Sequence, residues 1–513
     1  MQVIGDIARL NAKRYPHKQA LVMGNEHLTF GQLNEQANQL AHGLLSMSVE
    51  PGDRVTILSY NSMQYVVVSY AVAKCGAVMV PANFRYKRDE LVYVINNCEP
   101  KVLLFGPEFS SLVDEARTGF DSPVHLVAIS GEPLESGLSL SSVMQGQSTS
   151  EPAVRVDPAA PFAITYTSGT TGFPKGVLAS HSAFLNTYTG MIVEGDVRPG
   201  ETTLVGLPLF HNGGMHGLLQ PTLVRGGTAI IMPRGFEPDK ILDAVERHGV
   251  TMTMWVPTQL AMLVNYPGVT KHNLSTLGKI WYGSSPISPT ILKACMDVFE
   301  AGFYQWYGQT ETGMVAVLRP EDHVERSQCT GREMFNADLR VVNQEGEHTP
   351  VGEVGEIISA QVPLGMIGYH NMEEANKKTI RDGWIYTSDI ARVEGNGYFT
   401  VVDRLGDMII SGGENIYPKE IEDVISSHPG VREVVVFGIP DETYGESICA
   451  VVVKKEGYQL DEEDIVSFCA SRISSYKKPK RVEFTDELPK NPSGKVTKNV
   501  LRELYWTGKK KRI

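Results

Sequence analysis

Short β-rich apolar runs alternate with helical patterns through the first 310 or so residues of this chain, and each run tends to end in a turn of small residues. Helices between successive strands act as crossovers that cover the sheet faces, so this alternation points to α/β layers with mostly parallel strands. Strands are expected at residues 55–58, 102–105, 162–166, 228–232, 251–255, 279–282 and 303–307, with helices between them, for example at 239–248 and 290–300. The most apolar stretch, residues 65–82, carries Lys74 and Gly76 in its middle and reads as a buried helix running into a strand, not a membrane span. From about Asp338 the pattern changes to closely spaced strands with Gly and Asn turns, as in antiparallel hairpins or a small barrel. A further change near Asp403 introduces a small α+β unit with runs at 433–437 and 448–454 and an amphipathic segment at 461–473. The polar, Pro-containing residues 146–161 read as a surface connection.

The chain of 513 residues has room for about three structural units and a large core. Its 42% hydrophobic and 21% charged residues exclude disordered and fibrous classes. The formal net charge of −12 argues against a dedicated nucleic-acid binder. Six cysteines without a CxxC pair point to reduced thiols in a cytoplasmic protein, not to a disulfide framework or a zinc site. The N-terminus lacks a signal-peptide pattern, and the C-terminus does not end in Ser-Lys-Leu.

The strongest local signal is the run TSGTTGFPKG at 167–176, directly after an apolar strand. Glycines let backbone N–H groups approach an anion, hydroxyls add donors and Lys175 adds charge, which describes a phosphate-cradling loop. It is not a Walker loop, because the Gly-Lys-Ser/Thr ending is missing. Read alone, it also fits a flexible Gly/Thr turn. Two similar turns follow strands at Gly283-Ser284-Ser285-Pro286 and Tyr307-Gly308-Gln309-Thr310-Glu311. Ligands collect beyond the carboxyl ends of parallel strands, so the three turns can share one nucleotide crevice. Tyr307 can stack on a base there, and Glu311 is a hard oxygen ligand suited to Mg²⁺ beside phosphates.

TSGTTGFPKG, YGQTE, YTSD at 386–389, DRLGDMIISGGENIYPKEIE at 403–422 and NPSGK at 491–495 occur in this order. In that order they resemble the motifs of the adenylate-forming superfamily, which includes acyl-CoA synthetases, adenylation domains and luciferases. The resemblance spans essentially the whole chain. It implies an α/β fold: a large N-terminal domain of two doubly wound subdomains plus a small distorted β-barrel, then a small mobile α+β C-terminal domain. Residues 1–403 would form the first, 404–406 the hinge and 407–513 the second. The implied reaction joins a carboxylic acid to ATP as acyl-AMP with release of pyrophosphate, and a thiol then displaces AMP.

The resemblance assigns ATP binding to Thr167, Ser168, Gly169, Thr170, Thr171, Gly172 and Lys175 for the phosphates. It adds Gly283, Ser284, Ser285, Tyr307, Gly308 and Thr310 around the base, and Asp389 and Arg404 at the ribose. Thr167 and Glu311 would hold Mg²⁺, and Lys495 would be the catalytic lysine of adenylation, with Glu311 and His211 beside it. Ser411, Gly412, Gly413, Glu414 and Lys477 would meet coenzyme A, and Gly406 would be the pivot, where the family usually has Asp or Lys. Two departures stand out: Thr387-Ser388-Asp389 replaces Thr-Gly-Asp, and Gln361-Val362-Pro363 replaces a Gly-Pro pair.

His211 stands where amino-acid-activating relatives carry an aspartate nearby, which favours an acyl- or aryl-CoA ligase with ATP, Mg²⁺ and free coenzyme A. The acyl pocket is expected around His211, Gly214, Trp255, Trp306 and Met314. The two tryptophans hint at a small, branched, cyclic or aromatic acid, or else serve as core anchors. The partners expected are the acid, ATP and CoA, with no nucleic acid and no integral membrane segment; a homodimer is allowed for. The alternatives are a luciferase-like oxygenase and an adenylation enzyme with another thiol acceptor. Residues 476–513 hold 12 Lys and Arg against 4 Asp and Glu, a net of +8 that leaves −20 on the remainder. The acidic total therefore conceals a basic end where phosphates would be handled.

Overall fold

The computed structural model describes residues 1–167, 174–285, 287–411, 414–441, 444–473, 477–490 and 496–506. Three sheets organise the chain. The first has fourteen strands, and its central part, Gly302–Gln309, Lys279–Gly283, Met252–Trp255, Thr202–Val205, Thr228–Ile231 and Gln19–Met23, is parallel throughout. From Gly313–Leu318 outward the pairing turns antiparallel, so the hairpin strands of residues 331–404 extend the edge of the parallel sheet. The second sheet places Pro161–Thr167, Val78–Pro81, Arg54–Leu58, Val102–Phe105 and His125–Ala128 side by side and parallel. The third, of five strands, lies in the C-terminal part and includes the long pair Val431–Asp441 and Gly445–Lys454.

Strand periodicity explains the layers. Side chains alternate between faces, so Val55, Ile57, Val102 and Leu104 join one core with Met252, Met254, Trp281 and Trp306, while Leu58, Leu103 and Phe105 enter a second. The shared core is filled by the helices Phe30–Ser46, Met63–Cys75 and His181–Glu194, which lie between the two sheets. On the far face of the first sheet, Leu204, Ile280 and Phe303 pack on Pro238–His248 and Pro289–Val298. Strands covered on both faces must be apolar on both, which is why they read as continuous hydrophobic runs.

Local signals set the helix ends. Thr29 and Gln32 form a capping box that starts Phe30–Ser46. Ser62 caps Met63–Cys75, and Gly76 ends it in the left-handed region at φ 68°. That helix is buried all round, as its apolar sequence requires, and none of the described helices is long and apolar enough to cross a membrane.

Residues 146–161 run over the surface between a helix and the strand Pro161–Thr167, and Glu151 in this connection accepts from buried Lys74 and from Asn34 and Asn38. The Val362–Pro363 peptide is cis in the segment that departs from the family pattern.

Candidate active site

Three strand ends meet where the expected nucleotide crevice lies. Gly302–Gln309 delivers Tyr307 and Gln309, and Trp384–Val393 delivers Asp389, which pairs in register with Arg404 on the neighbouring strand. The buried Asp389 carboxylate accepts from Tyr307 Oη at 2.8 Å, Gln309 Nε2 at 2.7 Å and Arg404 Nε at 2.8 Å. Gln309 also donates to Thr387 O at 2.9 Å, and Thr387 Oγ1 accepts from Asp389 N at 3.1 Å. The guanidinium of Arg404, held by Asp389, has its pKa raised despite burial, and burial pushes that of the Tyr307 phenol up. Ser388 explains the usual glycine: it sits at φ 59°, where a side chain costs about 1–2 kcal/mol. Its N–H is met by Glu356 Oε1 at 2.8 Å.

Thr167 and Lys175 are register partners at the end of the Pro161–Thr167 hairpin and frame the glycine-rich run between them. Ser168, Gly169, Thr170, Thr171 and Gly172 lie outside the described residues. Lys175 Nζ stands 5.0 Å from the centre of the Tyr369 ring, and Tyr369 Oη donates to Glu311 Oε1 at 2.9 Å. Tyr369 thus links the lysine of the phosphate loop to the carboxylate expected to hold Mg²⁺. Among the described residues no three metal-ligating side chains cluster. Glu311 and Thr167 offer oxygens of the kind a hard cation accepts when phosphates and water supply its other ligands.

The glycines at the other turns are there for backbone approach. A Cβ on Gly283 would collide with Trp306 O, and one on Gly308 with Gly313 O. Ser284 follows at φ 69° and lines a cavity, with Ser285 next to it.

That cavity, of about 240 Å³, is lined by residues just beyond the carboxyl ends of six parallel strands drawn from both sheets. They are Tyr60 after Arg54–Leu58, Phe84 and Arg85 after Val78–Pro81, and Leu207 and His211 after Thr202–Val205. Arg234 follows Thr228–Ile231, Val256 follows Met252–Trp255, and Ser284 follows Lys279–Gly283. Arg234 donates to Tyr60 Oη and lies 4.8 Å from its ring centre, and Arg85 lies 5.9 Å from that of Phe84. Asn61 ties the loop that carries His211 to the second sheet, donating to Leu207 O at 3.0 Å and accepting from Leu209 N at 2.8 Å. Burial lowers the His211 pKa, which keeps its imidazole neutral at neutral pH.

A second cavity, of about 40 Å³, is lined by Ala179, Ala183, Phe184, Thr187, Asn212, His216, Thr310, Met314 and Leu364 among others. His211 faces the first cavity and Asn212 the second, so one short segment walls both. Gly214 lines the larger one, and a Cβ there would collide with Pro208 O.

Two expected acyl-pocket residues line neither cavity. Trp255 points to the outer face of its strand and packs on Phe299 at 5.8 Å, because strand alternation sends Met254 inward and Trp255 outward. Trp306 lies in the shared core against Trp281 at 4.8 Å. Both are core anchors, so the inference from them about acid size falls.

In the C-terminal part, Ser411 pairs with Glu414 across a short hairpin; Gly412 and Gly413 lie outside the described residues, as does Lys495. Lys477 forms an ion pair with Glu420 at 2.7 Å, so the structure places it on a carboxylate instead of in either cavity. Gly406 has open space around its Cα. Its carbonyl accepts from Arg502 Nη1 at 2.9 Å, and the same nitrogen reaches Asp407 at 3.1 Å. Next to it, the buried Asp403 carboxyl is raised to about 6 by burial.

Residues 8–370 match the AMP-binding enzyme family, and residues 420–495 match the AMP-binding enzyme C-terminal domain. The chain belongs to the AMP-binding enzyme family. As an AMP-binding enzyme it is an adenylate-forming enzyme of mixed α/β fold with a large N-terminal and a smaller C-terminal domain. It is 36% identical over 508 residues to a feruloyl-CoA synthase of Amycolatopsis sp, covering 98% of this chain and 99% of that protein. It is 35% identical over 515 residues to a fatty acid–[acyl-carrier-protein] ligase of Streptomyces coeruleorubidus, covering 99% and 97%. The crystal structure of the anthranilate CoA ligase AuaEII with anthranoyl-AMP superposes with a TM-score of 0.92 at 26% identity, covering 98% of this chain and 97% of that one.

Arg85, Arg234, Gln309 and Tyr369 of this AMP-binding enzyme were not among the expected site residues. Gln309 lies within a quoted motif, and the strand-end rule applied to every strand would have reached Arg85 and Arg234. Tyr369 carries no signal in the sequence.

Proposed function

We propose that the protein is an ATP-dependent acid–CoA ligase. The carboxylate of the acid attacks the α-phosphorus of ATP and pyrophosphate leaves. The thiol of coenzyme A then loses its proton, attacks the acyl carbon, and AMP leaves. The observation that carries this reading is the pair of cavities that share the His211–Asn212 wall. The larger, with Arg85, Arg234 and two aromatic rings, suits a thiol attached to a phosphorylated nucleotide. The smaller, with no charged lining residue, suits an acyl group.

In this reading Asp389 and Arg404 take the ribose hydroxyls, and Tyr307 frames the base. Thr167, Lys175 and the intervening loop take the phosphates. Mg²⁺, when bound, neutralises phosphate charge, and Glu311 and Thr167 would hold it. Lys495 supplies the positive charge of adenylation, a contribution typically worth about 10²–10³ in rate. Residues 1–403 and 407–513 turn about 404–406 between the two half-reactions. The relatives named for feruloyl-CoA and anthranilate support a ring-bearing acid. The six cysteines, all free and buried, support a cytoplasmic setting.

The test is AMP release with CoA over a broad panel of acids. Acid-dependent AMP release is expected, and none with any acid would sink the reading. The relative named as a carrier-protein ligase favours a second reading, in which the thiol belongs to a carrier protein; supplying a phosphopantetheinylated carrier in place of CoA decides between them.

A further inference from the structure

His216 is the one histidine of the smaller cavity. It sits in the middle of Gly213–Leu219, a stretch of π-helix, and such widened turns are frequent at functional sites. Its Nδ1 is 2.5 Å from Tyr188 Oη, and Phe184 stacks on the ring at 4.1 Å between centres. Tyr188 is fully buried, and among the described residues its hydroxyl has no other acceptor. Its proton therefore goes to Nδ1, which fixes the imidazole as the Nε2–H tautomer. Burial holds the pKa down to about 3, so the ring is neutral at any working pH. Nε2–H has no protein acceptor among the described residues, and a neutral N–H donor is left at the cavity wall. Thr187 and Asn212 add polar edges there, whereas Ala183, Phe184 and Met314 are apolar, and no lining residue is charged.

The geometry points to His216, oriented by Tyr188, as the residue that selects an acid bearing an uncharged acceptor oxygen, such as a hydroxyl, an ether or a carbonyl, on the part of the molecule away from its carboxylate. This rests on the ligase reading above and names its substrate class: a ring-bearing acid with an oxygen substituent, and not a hydrocarbon acid or a dicarboxylate. Burying Nε2–H against a bare ring leaves a donor unmet, which is the kind of penalty that gives a site strong discrimination. A second carboxylate would find no cation among the lining residues.

The experiment measures kcat/KM for AMP release with CoA using benzoate, cinnamate and their hydroxy and methoxy derivatives at each ring position, with terephthalate as the dicarboxylate. For the wild type we expect at least one oxygenated acid to exceed its parent by tenfold or more, and terephthalate to be poor. His216→Leu should abolish that preference, bringing the oxygenated acid and its parent to within about threefold of each other. His216→Gln, which restores an N–H donor, should recover part of it, and Tyr188→Phe should weaken it. Pyrophosphate exchange in each variant shows that it is folded and binds ATP. A preference that survives His216→Leu, or a wild type that is active on the parents without preferring any oxygenated acid, overturns the inference alone. Silence with every acid in the wild type overturns the ligase reading and the inference with it.

Discussion

Arg404 Nε lies 2.8 Å from Asp389 Oδ1 across two antiparallel strands, and Arg404 stands two residues before Gly406. The same carboxylate accepts from Tyr307 and Gln309, so one buried charge organises the base side of the crevice and the approach to the C-terminal part. Asp389→Asn keeps the shape but removes the charge on which three donors converge. Hydrogen bonds to charged groups contribute about 1.5–3 kcal/mol each. The variant should raise KM for ATP by roughly 10- to 100-fold, measured by acid-dependent pyrophosphate exchange.

Tyr369 holds Glu311 through its hydroxyl and shields Lys175 with its ring. Tyr369→Phe keeps the ring and drops the hydroxyl. The Mg²⁺ concentration for half-maximal adenylation should rise about three- to tenfold, the cost of a lost orienting bond near 1 kcal/mol. Thermal stability should be unchanged. A Mg²⁺ titration identical to that of wild type would show that the hydroxyl does not position Glu311.

Gly406 has no side chain to hold one orientation of the C-terminal part, but Arg502 supplies a substitute by grasping its carbonyl and Asp407. The chain superposes on a ligase crystallised with anthranoyl-AMP, and on the proposal that this grip serves adenylation its loss falls on the first half-reaction. Arg502→Ala should slow pyrophosphate exchange at least threefold more than thioester formation from supplied acyl-AMP. Gly406→Pro, which fixes φ, should do the opposite and slow thioester formation more. Equal slowing of both half-reactions by each variant argues against a pivot here.

Trp306→Phe should cost stability, roughly 1–3 kcal/mol for a core substitution of this kind, and leave the ranking of acids unchanged. A changed ranking would return Trp306 to the acid pocket, from which its contact with Trp281 removes it.

Acid stability follows from imidazoles of lowered pKa. Burial lowers His181 to about 4 and His216 to about 3, against 6.5 in the unfolded chain. Between these values the unfolded state binds more protons, so stability is lost as pH falls below 6.5. Asp403, raised to about 6, acts in the other direction between 3.8 and 6. His211, His248, His323 and His370 are lowered too and Glu356 and Asp423 raised, so six imidazoles stand against three carboxyls; Tm should fall between pH 6.5 and 4.5, and His181→Gln should flatten that slope.

The parallel strands were legible because burial on both faces leaves an unbroken apolar run, as at residues 102–105 and 279–282. The crevice was legible through its turns, since Tyr307, Asp389 and Arg404 lie inside recognisable motifs and do converge. The tryptophans misled because closeness to a motif does not say which face of a strand a side chain takes. Tyr369 was not legible: it acts through Glu311, 58 residues away in the chain, and only the fold brings the two together. The Lys477 pairing with Glu420, 57 residues away, is of the same kind.

The segment that walls both cavities has a practical consequence for redesign. On the proposed assignment of the two cavities, substitutions at His211, Asn212 or the glycines after them alter acid selection and thiol entry together, so a library built there will mix gains in scope with losses in turnover. Ala179 and Ala183 line the smaller cavity, the one proposed for the acid, without lining the larger one. Enlarging or reshaping those two positions is the route by which laboratory evolution can broaden the range of acids while leaving the second substrate's path intact.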